Sequence, residues 1–166
     1  TQYCNDYDQS KVSVGFISYR KDTDGNEWVH LISHSNSESM RPSACKEEEK
    51  LSDCLYHYGD LIKRKARDIE VATNNEEILH IFREATNGCN LNKYTQYIAI
   101  PVYCSSNKLL GIFQVVAKYD YIIEDTKKDL IEFASRHIVP YSNLIVLVDK
   151  IYKGLYINPS EIKKEV

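Results

Sequence analysis

The sequence predicts an α+β domain: a central antiparallel sheet with helices on both faces and a long helix at the C-terminal end. Three observations carry that expectation. Two stretches, 12–35 and 97–118, each hold a pair of strand-like runs joined by a short polar turn. The stretch between them carries apolar residues at three- and four-residue spacing, as amphipathic helices do. After the second hairpin the same helical spacing resumes and runs on to Leu155. Hairpin, helices, hairpin, long helix is an order that packs helices against an antiparallel sheet.

The chain begins with a polar lead-in over 1–11, read as the stub of an upstream helix, and the domain is expected over 12–156 with a tail over 157–166. In 12–19, Val12, Val14, Phe16 and Ser18 alternate with Ser13, Gly15, Ile17 and Tyr19, the two-residue period of a strand. Residues 28–35 form its partner. Between them Asp22, Asp24, Gly25 and Asn26 supply the residues that tolerate a tight turn. Ser43 is placed to cap a helix that starts on Lys46 and Glu47–Glu49, runs through Leu51, Cys54, Leu55 and Tyr58, and stops at Gly59. Residues 69–72 are a short apolar piece of open type. Thr73 and Glu76 have the spacing of a capping box, and Ile78, Leu79, Phe82 and Ala85 continue a helical stripe to the stop at Asn87-Gly88.

In 97–118 both alternating faces of the second run are apolar, which predicts a central strand covered on its two sides. Pro101 cannot donate to a ladder, so the first run is expected at an edge or with a bulge at that point. Asp125 or Thr126 caps the next helix, whose inner face is Leu130, Ile131, Ala134 and Ile138. Past Pro140, which predicts a kink, Leu144, Val148, Ile151 and Leu155 share one helical face.

Composition bounds the function. A chain of 166 residues with 43% hydrophobic content can bury one substantial core. Its net charge of −3 gives no general attraction for a polyanion, and the basic run 62–67, bracketed by Asp60 and Asp68, reads as the solvated face of a helix, so nucleic acid is not an expected partner. No run approaches the roughly 20 apolar residues of a membrane span. The odd set Cys4, Cys45, Cys54, Cys89 and Cys104, without Cys-X-X-Cys spacing, points to a reducing, cytoplasmic setting. The chain opens at Thr1 rather than on a methionine, and is expected to be a piece of a larger protein.

The string 110–118, preceded by Ile100-Pro101-Val102-Tyr103 and followed by Asp125, Leu130, Phe133-Ala134 and Asn143, resembles the second half of a GAF domain. Lys118, Tyr121 and Asp125 resemble part of the Asn-Lys-Phe-Asp-Glu motif of phosphodiesterase GAF domains, with Ala117 and Thr126 departing from it. The resemblance covers 97–155 well, extends to the first hairpin, and is poor over 37–95, where the family builds its ligand pocket. It implies a PAS-related sheet and a regulatory domain that senses a small molecule, a cyclic nucleotide or another metabolite. It also implies a structural lock in which Lys118 and Asp125, with Tyr121 beside them, pin the end of the strand to the following helix.

The residues expected to face a ligand are Ser18, His30, His34, Tyr58, Tyr94, Tyr97 and Gln114. Tyrosine supplies a stacking face with a hydroxyl, and Gln114 is a polar group on an apolar strand. His30 with His34, and Cys54 with His57, have spacings that a metal would accept, but nothing in sequence brings the pairs together, so no metal ligand is assigned, and the cofactor is unknown, with none required by the sequence. Serine nucleophile elbows and phosphate-binding glycine loops are missing, so no catalytic residue is assigned. The expected function is ligand sensing relayed through the C-terminal helix, with residues 144–155 as the seam of a homodimer. Two alternatives stand beside it: a ligand-free GAF module for dimerisation or protein contact, and a thiol enzyme similar to free methionine sulfoxide reductase that uses Cys45, Cys54 or Cys89.

Overall fold

The computed structural model describes residues 11–34, 48–82, 94–118 and 121–155. They form an α+β fold on one six-stranded antiparallel sheet. Its strands are β1 (Val12–Lys21), β2 (Glu27–His34), β3 (Glu49–Lys50), β4 (Glu70–Ala72), β5 (Tyr94–Tyr103) and β6 (Leu109–Lys118), in the spatial order β3-β2-β1-β6-β5-β4. The architecture is consistent with a GAF-like fold.

Both hairpins form where the alternation places them. In the first, Asp22 holds the turn: its carboxylate accepts from the Asn26 backbone N–H at 2.8 Å and from Trp28 Nε1 at 2.9 Å, and Gly25 takes a positive φ of 86°. In the second, β6 lies between β1 and β5, the central place that its two apolar faces require. Gly111 of β6 is needed for that closeness, since a Cβ there would stand 2.0 Å from the Ile17 carbonyl oxygen. β4 pairs only with positions 97–99 of β5, so Pro101 sits where β5 has lost that neighbour, and a bulge follows at Val102 and Tyr103.

The helix expected over 46–59 is corrected. Residues 49–50 are a strand paired with Trp28 and Val29, and the Leu51 N–H goes to the Glu27 carbonyl at 2.8 Å rather than into a helix. A turn comes next, and helix α1 spans His57–Lys63. Leu51, Cys54 and Tyr58 are buried and Leu55 is exposed, so the three- to four-residue spacing was real, but it is produced by a strand end, a turn and a helix start that each feed one core. Gly59 lies inside α1 instead of ending it; a Cβ there would meet Cys54 Sγ at 2.6 Å. Ser43 lies outside the described residues.

Helix α2 (Asn75–Phe82) is capped one residue later than the sequence suggested. The Asn74 side chain accepts from the Glu77 N–H at 2.9 Å, and Glu77 reaches back to the Thr73 N–H at 3.1 Å. Its expected end at 87–88 lies outside the described residues. Helix α3 (Lys127–Phe133) is capped by Thr126, which accepts from the Asp129 N–H at 3.1 Å. A π-helical turn, Ala134–Ile138, joins α3 to α4 (Val139–Leu155). There the Val139 N–H reaches the Ala134 carbonyl, five residues back. The widened turn sits directly before Pro140, whose ring and missing N–H a regular α-turn would not accommodate.

The two faces of the sheet are covered differently. On one, Ile17, Val29, Tyr97, Ala99, Ile112 and Val116 pack against Leu51, Cys54, Leu61, Ile62 and Ile78. On the other, Val12, Ile98, Ile100 and Val115 pack against Leu130, Ala134 and Ile138. Ile131, expected on the inner side of α3, is 38% exposed. Among the described residues no helix is long and apolar enough to cross a membrane.

Candidate functional site

The residues expected to face a ligand are not gathered into one site. Ser18 and His30 stand opposite each other in β1 and β2, with Ser18 Oγ 3.3 Å from the His30 carbonyl oxygen that accepts its proton. Their pleat is opposite to that of the adjacent Ile17, which faces α1. Position 34 is paired with Gly15 and position 30 with Ser18, because the register shifts by a residue between Phe16 and Ile17. The two histidine positions therefore no longer share a strand face. Tyr97 and Tyr58 lie on the α1 side and are themselves core, 1% and 8% exposed. Tyr94 packs partly buried against that same core. Gln114 is half-buried on the α1 side, flanked by Gly15 and Ala99.

Of the expected lock, Asp125 is exposed, and the Lys118 side chain lies outside the described ones. The strand-to-helix junction is held by Gln96, a side chain 1% exposed that no sequence pattern singles out. Its Nε2 donates to the Glu124 carbonyl at 2.5 Å and its Oε1 accepts from the Ile123 N–H at 2.7 Å. Beside it Thr95 Oγ1 donates to the Tyr121 carbonyl at 2.6 Å, so Tyr121 takes part through its backbone. Two neighbouring polar residues of β5 thus satisfy the backbone of the loop that leads into α3.

A cavity of about 800 Å³ opens at the β4 edge of the sheet. β4 gives it Glu70 and an apolar wall of Val71 and Ala72; α2 adds Glu76, Glu77, His80 and Ile81. Asn74 before α2, His57 at the start of α1 and Lys127 at the start of α3 complete it. His57 Nε2 lies 3.1 Å from Glu70 Oε2, and Arg64 pairs with the other carboxylate oxygen. Burial and then the Arg64 guanidinium hold the His57 imidazole below its ordinary range, against the opposing pull of Asp60. The ring is therefore neutral at pH 7, and a carboxylate facing Nε2 fixes the proton on that nitrogen. It meets the Tyr97 ring in a T-shaped contact, centroids 5.7 Å apart and planes at 77°.

Across the cavity Lys127 Nζ lies 2.9 Å from Glu77 Oε1. That ammonium, followed by the Thr73 N–H, keeps the Glu77 carboxyl below its ordinary range. The arrangement offers hydrogen-bonding groups above an apolar wall, which suits a small polar molecule. Sequence alone offered little sign of it, because its polar residues come from four elements, with one each from β4, α1 and α3. Among the described residues no group of three or more histidine, cysteine, aspartate or glutamate side chains is placed to hold a metal ion. Cys54 is buried and its thiol is pushed up to about 12, which removes the thiolate at neutral pH. Cys45 and Cys89 lie outside the described residues.

Comparison of the chain with known protein families and with curated proteins gives no match.

Proposed function

We propose that this chain is a GAF-like regulatory domain in which a small molecule bound at the β4 edge acts on a dimer formed through α4. The observation that carries the reading is a single helical run linking the two places. Lys127, in the cavity wall, opens α3, and α3 continues through the π-helical turn into α4, where Tyr141, Leu144, Leu147 and Val148 are 52–64% exposed. Tyr141, Leu144 and Val148 keep a three-then-four spacing that Ile151 and Leu155 continue along the sequence, the pattern of a two-helix seam. Exposed apolar residues so grouped favour a partner surface over a solvated one. A ligand that alters how α3 starts has a rigid path to that seam.

A second reading is favoured by Tyr58 and Tyr97, which fill the α1 side of the sheet with the protein's own side chains. In it the domain serves dimerisation alone. The experiment is a thermal-shift screen with cyclic nucleotides, amino acids and other metabolites, beside light scattering of the wild type and of a Leu144→Glu, Val148→Glu variant. A ligand at a hundred times its Kd raises stability by ~2.7 kcal/mol. Shifts with a dimer that the double variant dissociates support sensing, a dimer without any shift supports the second reading, and a monomeric wild type removes the seam.

A further inference from the structure

The cavity already contains a cation. Lys127 Nζ lies 2.9 Å from Glu77 Oε1, and the same carboxylate accepts the Thr73 N–H at 3.1 Å through its other oxygen. Both partners are open to water, with side-chain exposures of 54% for Lys127 and 36% for Glu77, so the bridge is weak and easily exchanged. The other carboxylates in the lining are differently placed. Glu70 is occupied by Arg64 and His57, while Glu76 is exposed at the first turn of α2. Lys127 is thus the only lysine or arginine among the described lining residues, set against three glutamates, with Val71, Ala72 and Ile81 as the apolar part of the wall.

We infer that the cavity takes an organic ammonium compound, whose charged nitrogen replaces Lys127 on Glu77 while its carbon chain lies along Val71, Ala72 and Ile81. The inference rests on the sensor reading and names its ligand class. The protein's own ammonium shows where such a group is held, and the exposure of both partners lets water and ligand reach the bridge. Ligand and bridge then exclude each other. Binding severs the link between α2 and the first residue of α3, a contact that spans 50 residues of sequence, and so frees the start of the helical run that ends in the apolar stripe.

The competition makes a prediction that a merely sticky acidic surface would not. Removing Lys127 strengthens binding, because the ligand no longer displaces a resident cation. The probes are cadaverine, a five-carbon diamine, and glutarate, its dicarboxylate counterpart, titrated by calorimetry and thermal shift into the wild type, Lys127→Met and Glu77→Gln. Met retains the alkyl stem. Expected are binding of cadaverine alone, about two- to fivefold tighter in Lys127→Met, the range that loss of a weak bridge allows, and abolished in Glu77→Gln. Cadaverine affinity that Lys127→Met leaves unchanged or weakens overturns the inference, and this arm stands even if Glu77→Gln does not fold. Binding of glutarate or of another metabolite without cadaverine overturns the ligand class while leaving the sensor reading intact. No response to either probe or to the metabolite panel overturns both.

Discussion

The two coverings of the sheet differ in how they are made. The α1 side is closed by pieces from many segments: a strand end at Leu51, a turn at Cys54, two helices and the fully buried Tyr97. The α3 side is closed mainly by one helical run whose inward residues are Leu130, Ala134 and Ile138 and whose α4 part exposes the apolar Tyr141, Leu144, Leu147 and Val148. The first covering is finished within the chain; the second has an inside and an unused outside. A patchwork can satisfy every residue locally, whereas a single helix has a far side that has to meet something else.

Equal truncations on the two sides test this contrast most strongly. Leu61 in α1 and Leu130 in α3 are both fully buried. Leu61→Ala and Leu130→Ala are each expected to cost ~2–5 kcal/mol in urea unfolding, with the m-value unchanged. A loss below ~1 kcal/mol at Leu130 would show that the α3 side is a loosely held flap and not a covering.

Gln96 supplies the next largest effect. Gln96→Ala leaves the Ile123 N–H and the Glu124 carbonyl without their partner and is expected to cost ~1–3 kcal/mol, with faster hydrogen exchange at Ile123. Unaltered exchange there would show that the loop holds its place without the amide.

His57 belongs to the α1 side and gives it a pH dependence. Its imidazole titrates below the ordinary value of 6.5 in the folded protein, so as pH falls through 6.5 the unfolded chain takes up a proton that the folded one refuses. Stability is therefore expected to fall between pH 6.5 and the lowered folded value, and His57→Gln to flatten that part of the curve. An identical Tm-against-pH profile in the variant would contradict the assignment. The smallest effect is at Asp125, which is exposed: Asp125→Ala is expected to stay within ~0.5 kcal/mol of wild type, and a larger loss would revive an ion-pair lock there.

Legibility in the sequence divides along the same line. Alternation in 12–35 and 97–118 marks both hairpins because a half-buried strand must change faces at every residue. The Thr126 cap is equally local. Over 46–59 the chain is misread, since Leu51, Cys54 and Tyr58 reach a common core from three kinds of backbone and imitate a helix by their spacing. The bulge that separates positions 30 and 34 has no strong local mark. The cavity is least legible of all: Glu77 and Lys127 meet across 50 residues, and nothing local announces a contact between a second helix and a third. Gln96 illustrates the remaining gap, for a lone glutamine at the start of a strand reads as solvent-facing until the loop that uses it is in place.

The π-helical turn before Pro140 also acts as a phase shifter. On an unbroken α-helix Leu130, Ala134, Tyr141 and Val148, separated by four, seven and seven residues, would fall on a single face. One added residue turns the rest of the helix by about 100°. Leu130 and Ala134 are therefore directed into the domain while Tyr141 and Val148 are directed away from it, two directions drawn from one repeat. A seam built on α4 consequently cannot extend back along α3. In the proposed dimer the seam would therefore begin at the turn.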